Sequence, residues 1–537
     1  MTAPTDQSTI PALLSTTVKR YPDKHALGTI INGHLTWQTW QQVWDDIARV
    51  AGTLRDKGVG AGDRVAQYAP NRYEWIPVDL AILSLGAVHL PLHSSLSAAQ
   101  VAEQVGQSGA CLLILGREES KHLATHLPSR VTCISHEELL SNPETNISQT
   151  EFRLPHPTDL ATILFTSGTT GQPRGVMLSH GNLASNAIAT TEAVGAASDE
   201  IRLCFLPLSH IYARTCDLYT CIYRGTRLVL AESRETILRD CQLVKPTVIN
   251  GVPYFYQKIA QHLHAAGKTR EPEALREIFG GEIKRLFCGG AAVAHETERL
   301  FAELGLPLLT GYGLTESSPV ISATSLENYV FGTVGRPLAG VEVRIAEDRE
   351  VLVRGPNVML GYWQDEPSTR QTIVDGWLRT GDLGEFDSAG NLRIIGRRKE
   401  IIVLSTGKNV SPTTVEQRLL GSPLVENVCV LGEGHSCLGA LIVPNPTALR
   451  QKIREHRLWI WSRRRAVTHP QVLQLYRAEI DRLLVDLGRE QQVGPFLLLD
   501  RAFSPELGEM TTKLSLRRDV IEANFAREID QMFDGRK

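Results

Sequence analysis

What most limits the fold of this 537-residue chain is a rhythm of short apolar runs alternating with helix-period stretches. Arg64–Tyr68, Trp75–Gly86, Val88–Leu92 and Ala98–Gly106 read in turn as strand, helix, strand and helix. Further strands are expected at Cys111–Leu115, Arg202–Leu206, Arg227–Leu230, Val248–Gly251 and Arg285–Cys288. Such alternation requires crossover helices, so it predicts parallel α/β architecture. Ahead of it, residues 10–60 read as helices around a hairpin, with Asn32-Gly33 turning between Leu27–Ile31 and His34–Trp37. After about Gly332 the rhythm breaks into Val341–Ile345, Glu350–Arg354, Gly384–Phe386 and Leu392–Ile395, with Asp387–Gly390 as a hairpin loop. That pattern predicts a smaller β-rich lobe, and another α/β segment follows from Gly396.

The chain is too long for one ordinary core. A net charge of −3 offers nucleic acid no general attraction. The nine cysteines are odd in number and form no CxxC pair, which fits reduced thiols and excludes a disulfide framework or zinc site. The opening residues lack a basic start followed by an apolar stretch, so a secretory signal is not expected. The most apolar region, Ile76–Leu92, is interrupted by Asp79 and His89 and is short for a membrane span. A cytoplasmic enzyme is the expectation.

Chemistry concentrates first in Thr162–Asn182. An apolar strand, Ile163-Leu164-Phe165, leads into Thr166, Ser167, Gly168, Thr169, Thr170 and Gly171, followed by Arg174 and a second apolar strand. Small residues let backbone N–H groups turn toward a ligand, hydroxyls add donors, and Arg174 adds a permanent charge. Together they suit a polyphosphate; a plain Gly/Ser/Thr turn is the alternative. The spacing is neither GxxxxGK[ST] nor GxGxxG. In Gly311-Tyr312-Gly313-Leu314-Thr315-Glu316, glycines admit a flat ligand, Tyr312 offers a stacking face and Glu316 a hard oxygen ligand; an exposed turn is the plainer reading.

SGTTGQPRGV closely resembles the phosphate loop of the AMP-forming adenylating enzymes: acyl-CoA synthetases, peptide-synthetase adenylation domains and beetle luciferases. The GYGLTE string resembles that family's GYGxTE motif, which implies Tyr312 against adenine, Thr315 at the α-phosphate and Glu316 holding Mg²⁺. Gly376–Asp382 resembles the GWxxTGD motif, in which the aspartate, here Asp382, accepts hydrogen bonds from the ribose hydroxyls. Arg397, in GRRKE, matches the residue that helps hold the ribose, and Lys399 matches the hinge between large and small domains. Cys288-Gly289-Gly290-Ala291-Ala292 resembles the wall of the adenine and acyl pocket, and Leu206–Ile211 the segment whose His210 borders the carboxylate. Ser209–Tyr212 lacks the aspartate that amino-acid-activating domains place here to bind the substrate ammonium. Lys513 corresponds to the family's adenylation lysine, with a longer spacing to Arg517-Arg518 than in GKxxRR or TPTLKLRR forms. Gly407 matches the opening through which a pantetheine thiol enters; its plainer reading is a turn glycine.

The resemblance covers nearly the whole chain. It implies an α/β fold with a large N-terminal domain of stacked α/β sheets and a β-rich lobe, residues 1–396, and a smaller mobile α+β C-terminal domain, residues 397–537. It implies ATP and Mg²⁺, a carboxylic acid, and coenzyme A as acceptor. Lys245–Pro253 followed by Tyr256–Ile259 resembles the long-chain fatty acyl-CoA synthetase branch. An aryl or shorter acid, an acyl-carrier protein as acceptor, and a catalytically silent nucleotide- or acyl-binding protein are the competing expectations. Arg450–Arg465 gathers seven basic residues around Trp459 and Trp461. This reads either as a solvated basic helix or as a peripheral contact with an anionic membrane.

Overall fold

The computed structural model describes residues 8–116, 123, 127, 131–141, 154–167, 173–195, 197, 199–504, 506–510 and 516–534. The predicted rhythm appears as two large sheets. One has seven strands in the order Gly361–Tyr362, Pro173–Ser179, Leu160–Ser167, Val88–Leu92, Arg64–Tyr68, Leu112–Leu115, Thr132–Ser135. From Leu160–Ser167 to Thr132–Ser135 its neighbours are parallel, and the first three strands pair antiparallel. The other has nine strands, with a parallel centre from Leu308–Gly313 to His25–Ile31 and antiparallel edges. The hairpin His25–Ile31/His34–Thr39 turns at Asn32 (φ 51°) and Gly33 (φ 76°), the left-handed pair an Asn-Gly turn supplies at low cost.

These strands are continuous apolar runs because helices cover them. The helix Trp75–Ser84 is buried at every position, which is why Ile76–Leu92 is so apolar. Its one charge, Asp79, is neutralised inside the core by Arg214. No helix among the described residues is long and apolar enough to cross a membrane.

The β-rich lobe is present as five strands: Glu342–Ile345, Glu350–Arg354, Trp377–Phe386 and Ile373–Val374 in order, with Leu392–Arg397 also on Trp377–Phe386. Their neighbours are all antiparallel. Beyond it a three-stranded sheet, Val425–Leu431, Leu438–Pro444 and Val493–Leu498, has its own apolar core, drawn from Ile402 to Leu498. Between Arg450 and Arg465 the basic helix stops early: it spans Pro446–Glu455, and a short helix resumes only at Arg463.

Candidate active site

The hairpin Leu160–Ser167/Pro173–Ser179 sets Thr166 opposite Arg174 and Ser167 opposite Pro173. Thr166, Pro173 and Arg174 line a continuous cleft with a cavity volume of about 2320 Å³. Gly168, Thr169, Thr170 and Gly171, which follow Ser167 in sequence, lie outside the described residues. The Arg174 guanidinium sits 5.5 Å from the Tyr362 ring centroid and 3.8 Å from the Asp365 carboxylate. The Tyr362 hydroxyl in turn donates to Glu316 Oε1 at 3.0 Å. A basic residue and a carboxylate from distant segments thus meet through one tyrosine, which the sequence reading left unassigned.

Gly311-Tyr312-Gly313 is not the exposed turn of its plainer reading but the last three residues of the strand Leu308–Gly313. Gly313 must be glycine, since an added Cβ would strike the Pro319 carbonyl oxygen, a backbone atom with nowhere to go. Thr315 is buried and Glu316 half-buried on the cleft wall. The Tyr312 hydroxyl donates to Asp382 Oδ2 at 2.7 Å, and Arg397 Nε lies 2.9 Å from Oδ1. Strand pairing puts Asp382 directly opposite Arg397. Burial pushes the Asp382 carboxyl above its usual range, against the pull of the Arg397 charge. The preceding Gly381 (φ 71°) donates its N–H to Glu350 Oε1 at 3.0 Å, and Glu350 also holds Arg379 and Arg398. Glu350 is a second supporting residue without a sequence signal of its own.

The strand Arg285–Cys288 runs into Gly289, Gly290 (φ 87°), Ala291 and Ala292, all lining the cleft. A Cβ at Gly289 would come within 3.0 Å of the Tyr212 ring, so glycine lets that ring pack. His210 caps the short helix Ile211–Ala213, its Nδ1 accepting the Tyr212 N–H at 3.1 Å, and it too lines the cleft. A π-helical turn, Arg214–Tyr219, follows. Its Arg214 is fully buried, paired with Asp79 and donating to Thr162 Oγ1 at 2.9 Å, while His89 Nδ1 and the Tyr219 hydroxyl meet Asp79 at 2.7 and 2.9 Å. Thr162 lies on the strand that leads to the Ser167 end of the loop, so this buried set ties the His210 segment to it. Sequence reading saw Asp79 and His89 only as interruptions of an apolar run.

Arg397, Arg398, Lys399 and Glu400 also line the cleft, as do Gly508, Met510, Leu516, Arg517 and Arg518 from the C-terminal part of the chain. Met510 and Leu516 bridge each other; Lys513, between them, lies outside the described residues. Gly407 (φ 75°) turns between Ile402–Val403 and Asn409–Val410, apart from the cleft lining. Among the described residues no group of three or more His, Cys, Asp or Glu side chains could hold a metal ion. Glu316, a lone half-buried carboxylate on the cleft wall, would suit Mg²⁺, a hard cation that takes few protein oxygens.

Residues 14–363 match the model of the family described as AMP-binding enzyme, and residues 399–467 that of the AMP-binding enzyme C-terminal domain. The long-chain-fatty-acid–CoA ligase FadD15 of Mycobacterium bovis is 30% identical over 576 aligned residues, covering 96% of this chain and 95% of that ligase. A feruloyl-CoA synthase of Amycolatopsis is 31% identical over 73% of this chain and 80% of its own length. Among solved structures, the o-succinylbenzoate coenzyme A synthetase MenE of Bacillus subtilis in complex with AMP superimposes with a TM-score of 0.76 at 25% identity, covering 96% of this chain and 98% of that one. The chain belongs to the AMP-binding enzyme family.

Proposed function

We propose that this protein activates a fatty acid with ATP through an acyl-adenylate and transfers the acyl group to the thiol of coenzyme A. One observation carries the reading. Thr166 and Arg174, Thr315 and Glu316, Asp382 and Arg397, Gly289–Ala291 and the residues flanking Lys513 come from across the chain and border one cleft. The relative named a long-chain-fatty-acid–CoA ligase, aligned over nearly the full length, supports the acid and the acceptor.

In the first step a carboxylate oxygen attacks the α-phosphorus and the bond to pyrophosphate breaks, so the residues' work is to position and to offset charge. Asp382 accepts from the ribose hydroxyls, its orientation set by Tyr312 and Arg397. The hydroxyls of Thr166, Ser167 and Thr315 and the amides of Gly168–Gly171 hold phosphate oxygens. Arg174 contributes fixed positive charge, and Lys513 reaches the α-phosphate and carboxylate. Gly311, Tyr312, Gly313, Gly289, Gly290 and Ala291 shape the slot for adenine, and His210 borders the carboxylate. Glu316 would hold Mg²⁺, which when bound neutralises developing phosphate charge. In the second step residues 397–537 rotate about Lys399 against residues 1–396 and bring the Gly407 face to the cleft. The thiol then attacks the acyl carbonyl carbon and AMP leaves. We place the protein in the cytoplasm, in keeping with nine cysteines that are all unpaired.

A second reading, a shorter or aryl acid, also has an observation in its favour: the cleft lining includes the polar residues Thr190, Arg202, Thr220 and Asn250. Acid-dependent ATP–pyrophosphate exchange tests the first step. No exchange with any acid would leave a silent nucleotide-binding protein, and a wild-type rate in Lys513→Ala would refute that lysine's role. A panel scored by pyrophosphate release decides the acid: preference for palmitate supports a fatty acid, preference for benzoate or acetate rejects it. Replacing coenzyme A with a pantetheinylated carrier protein tests the acceptor.

A further inference from the structure

The structure turns the two tryptophans of the basic stretch outward. After the helix Pro446–Glu455 the chain passes through Arg457 in the left-handed region (φ 53°) and continues without helix to Ser462. Leu458 and Ile460 point inward and pack on the core of the three-stranded sheet. Their alternation forces Trp459 and Trp461 out, 87% and 81% exposed, with ring centroids 6.3 Å apart. The chain's other six tryptophans are buried or half-buried. Arg450, Arg454, Arg457, Arg464 and Arg465 are exposed around the pair. Glu455, the sole acid between Pro446 and His469, is already engaged by Lys452 at 2.7 Å and Gln451 at 2.9 Å.

We propose that Trp459, Trp461 and these arginines form a docking surface for an anionic lipid bilayer. Two large apolar rings held in water are unfavourable, and indoles settle at the headgroup level of a membrane with their N–H groups still hydrated. Arginines beside them meet lipid phosphates while their methylene stems lie along apolar surface. The pair sits on an outward-bent loop, not in a groove, which suits a surface that yields. The charge is local, on a chain of net −3, so it is not a general polyanion field. None of these residues lines the cleft. The inference stands independently of which acid is activated.

The test is co-sedimentation of the full chain with vesicles of phosphatidylcholine alone or mixed equally with phosphatidylglycerol, at low and high salt. Binding is expected to the mixed vesicles, weakened by salt. W459A/W461A and R464E/R465E are each expected to lower it roughly tenfold, with thermal unfolding and pyrophosphate exchange unchanged. Brominated lipid should quench part of the tryptophan fluorescence, and that part should vanish in W459A/W461A. The proposal is overturned if mixed vesicles sediment no protein, if W459A/W461A binds as wild type, or if a double-stranded oligonucleotide displaces the vesicles.

Discussion

Asp382 shows how much of this site depends on side chains that share no local signal. A carboxylate this buried would be costly alone, and two partners make it tolerable: a phenol at 2.7 Å and a guanidinium at 2.9 Å. Asp382→Asn keeps the shape and removes the charge. We expect it to weaken ATP binding about tenfold to a hundredfold, the worth of charge-assisted hydrogen bonds, with little change in secondary structure. Calorimetric titration with ATP measures this directly, and wild-type affinity would remove the ribose role. The aspartate was legible in the sequence because it stands in a recurring string. Tyr362 and Glu350 were not, because a tyrosine that steadies Glu316 and a glutamate that anchors Gly381 look like any others until their partners are known.

At the scale of elements, the segment that carries Lys513 is pinned on both sides. Glu509, fully buried, accepts from Arg501 at 2.5 and 2.7 Å, from the Ser504 N–H at 3.0 Å and from Asn524 at 3.1 Å. Arg518 reaches Glu416 at 2.8 Å and the Val430 carbonyl at 2.5 Å. These contacts fix where the intervening residues leave and rejoin the three-stranded sheet's surroundings. The hydrogen bond from Arg501 holds the Glu509 carboxyl below its ordinary 4.5. A depressed folded-state pKa adds stability above the unfolded value and loses it as pH falls through the folded one. Glu509→Gln should therefore cost about 1–2 kcal/mol at neutral pH, and the gap in melting temperature should close as pH drops below 4.5. A gap that persists unchanged in acid would mean the ion pair is not its source. Strand Leu308–Gly313 makes a related point: its end at Gly313 is decided by antiparallel pairing with Val320–Ala323, a partner that nothing within the GYG string announces.

For the molecule as a whole, two expectations follow from how its parts are joined. Burial keeps His89 and His180 neutral down to about 4 and His136 to about 3, far from the ordinary 6.5. Unfolded histidines take up protons near 6.5 while these do not, so stability should fall as pH drops from 6.5 toward 4, by up to roughly 3 kcal/mol for each. His180→Gln should flatten that dependence in thermal melts, and an unaltered slope would exclude His180 as a contributor. Lys399→Pro should restrict the proposed hinge: thioester formation is expected to drop about tenfold or more while acid-dependent pyrophosphate exchange persists. Equal loss of both would speak against a rotation at Lys399. By itself the sequence determined the α/β rhythm, the β-rich lobe and the family, because period and motif spacing are local and survive without knowledge of distance. Only the tertiary structure decided that Asp79 neutralises Arg214 beneath the loop strand, that Tyr312 meets Asp382, and that Trp459 and Trp461 face water. Those pairings and exposures arise when segments far apart in the chain pack together, and no single segment encodes what it will be packed against.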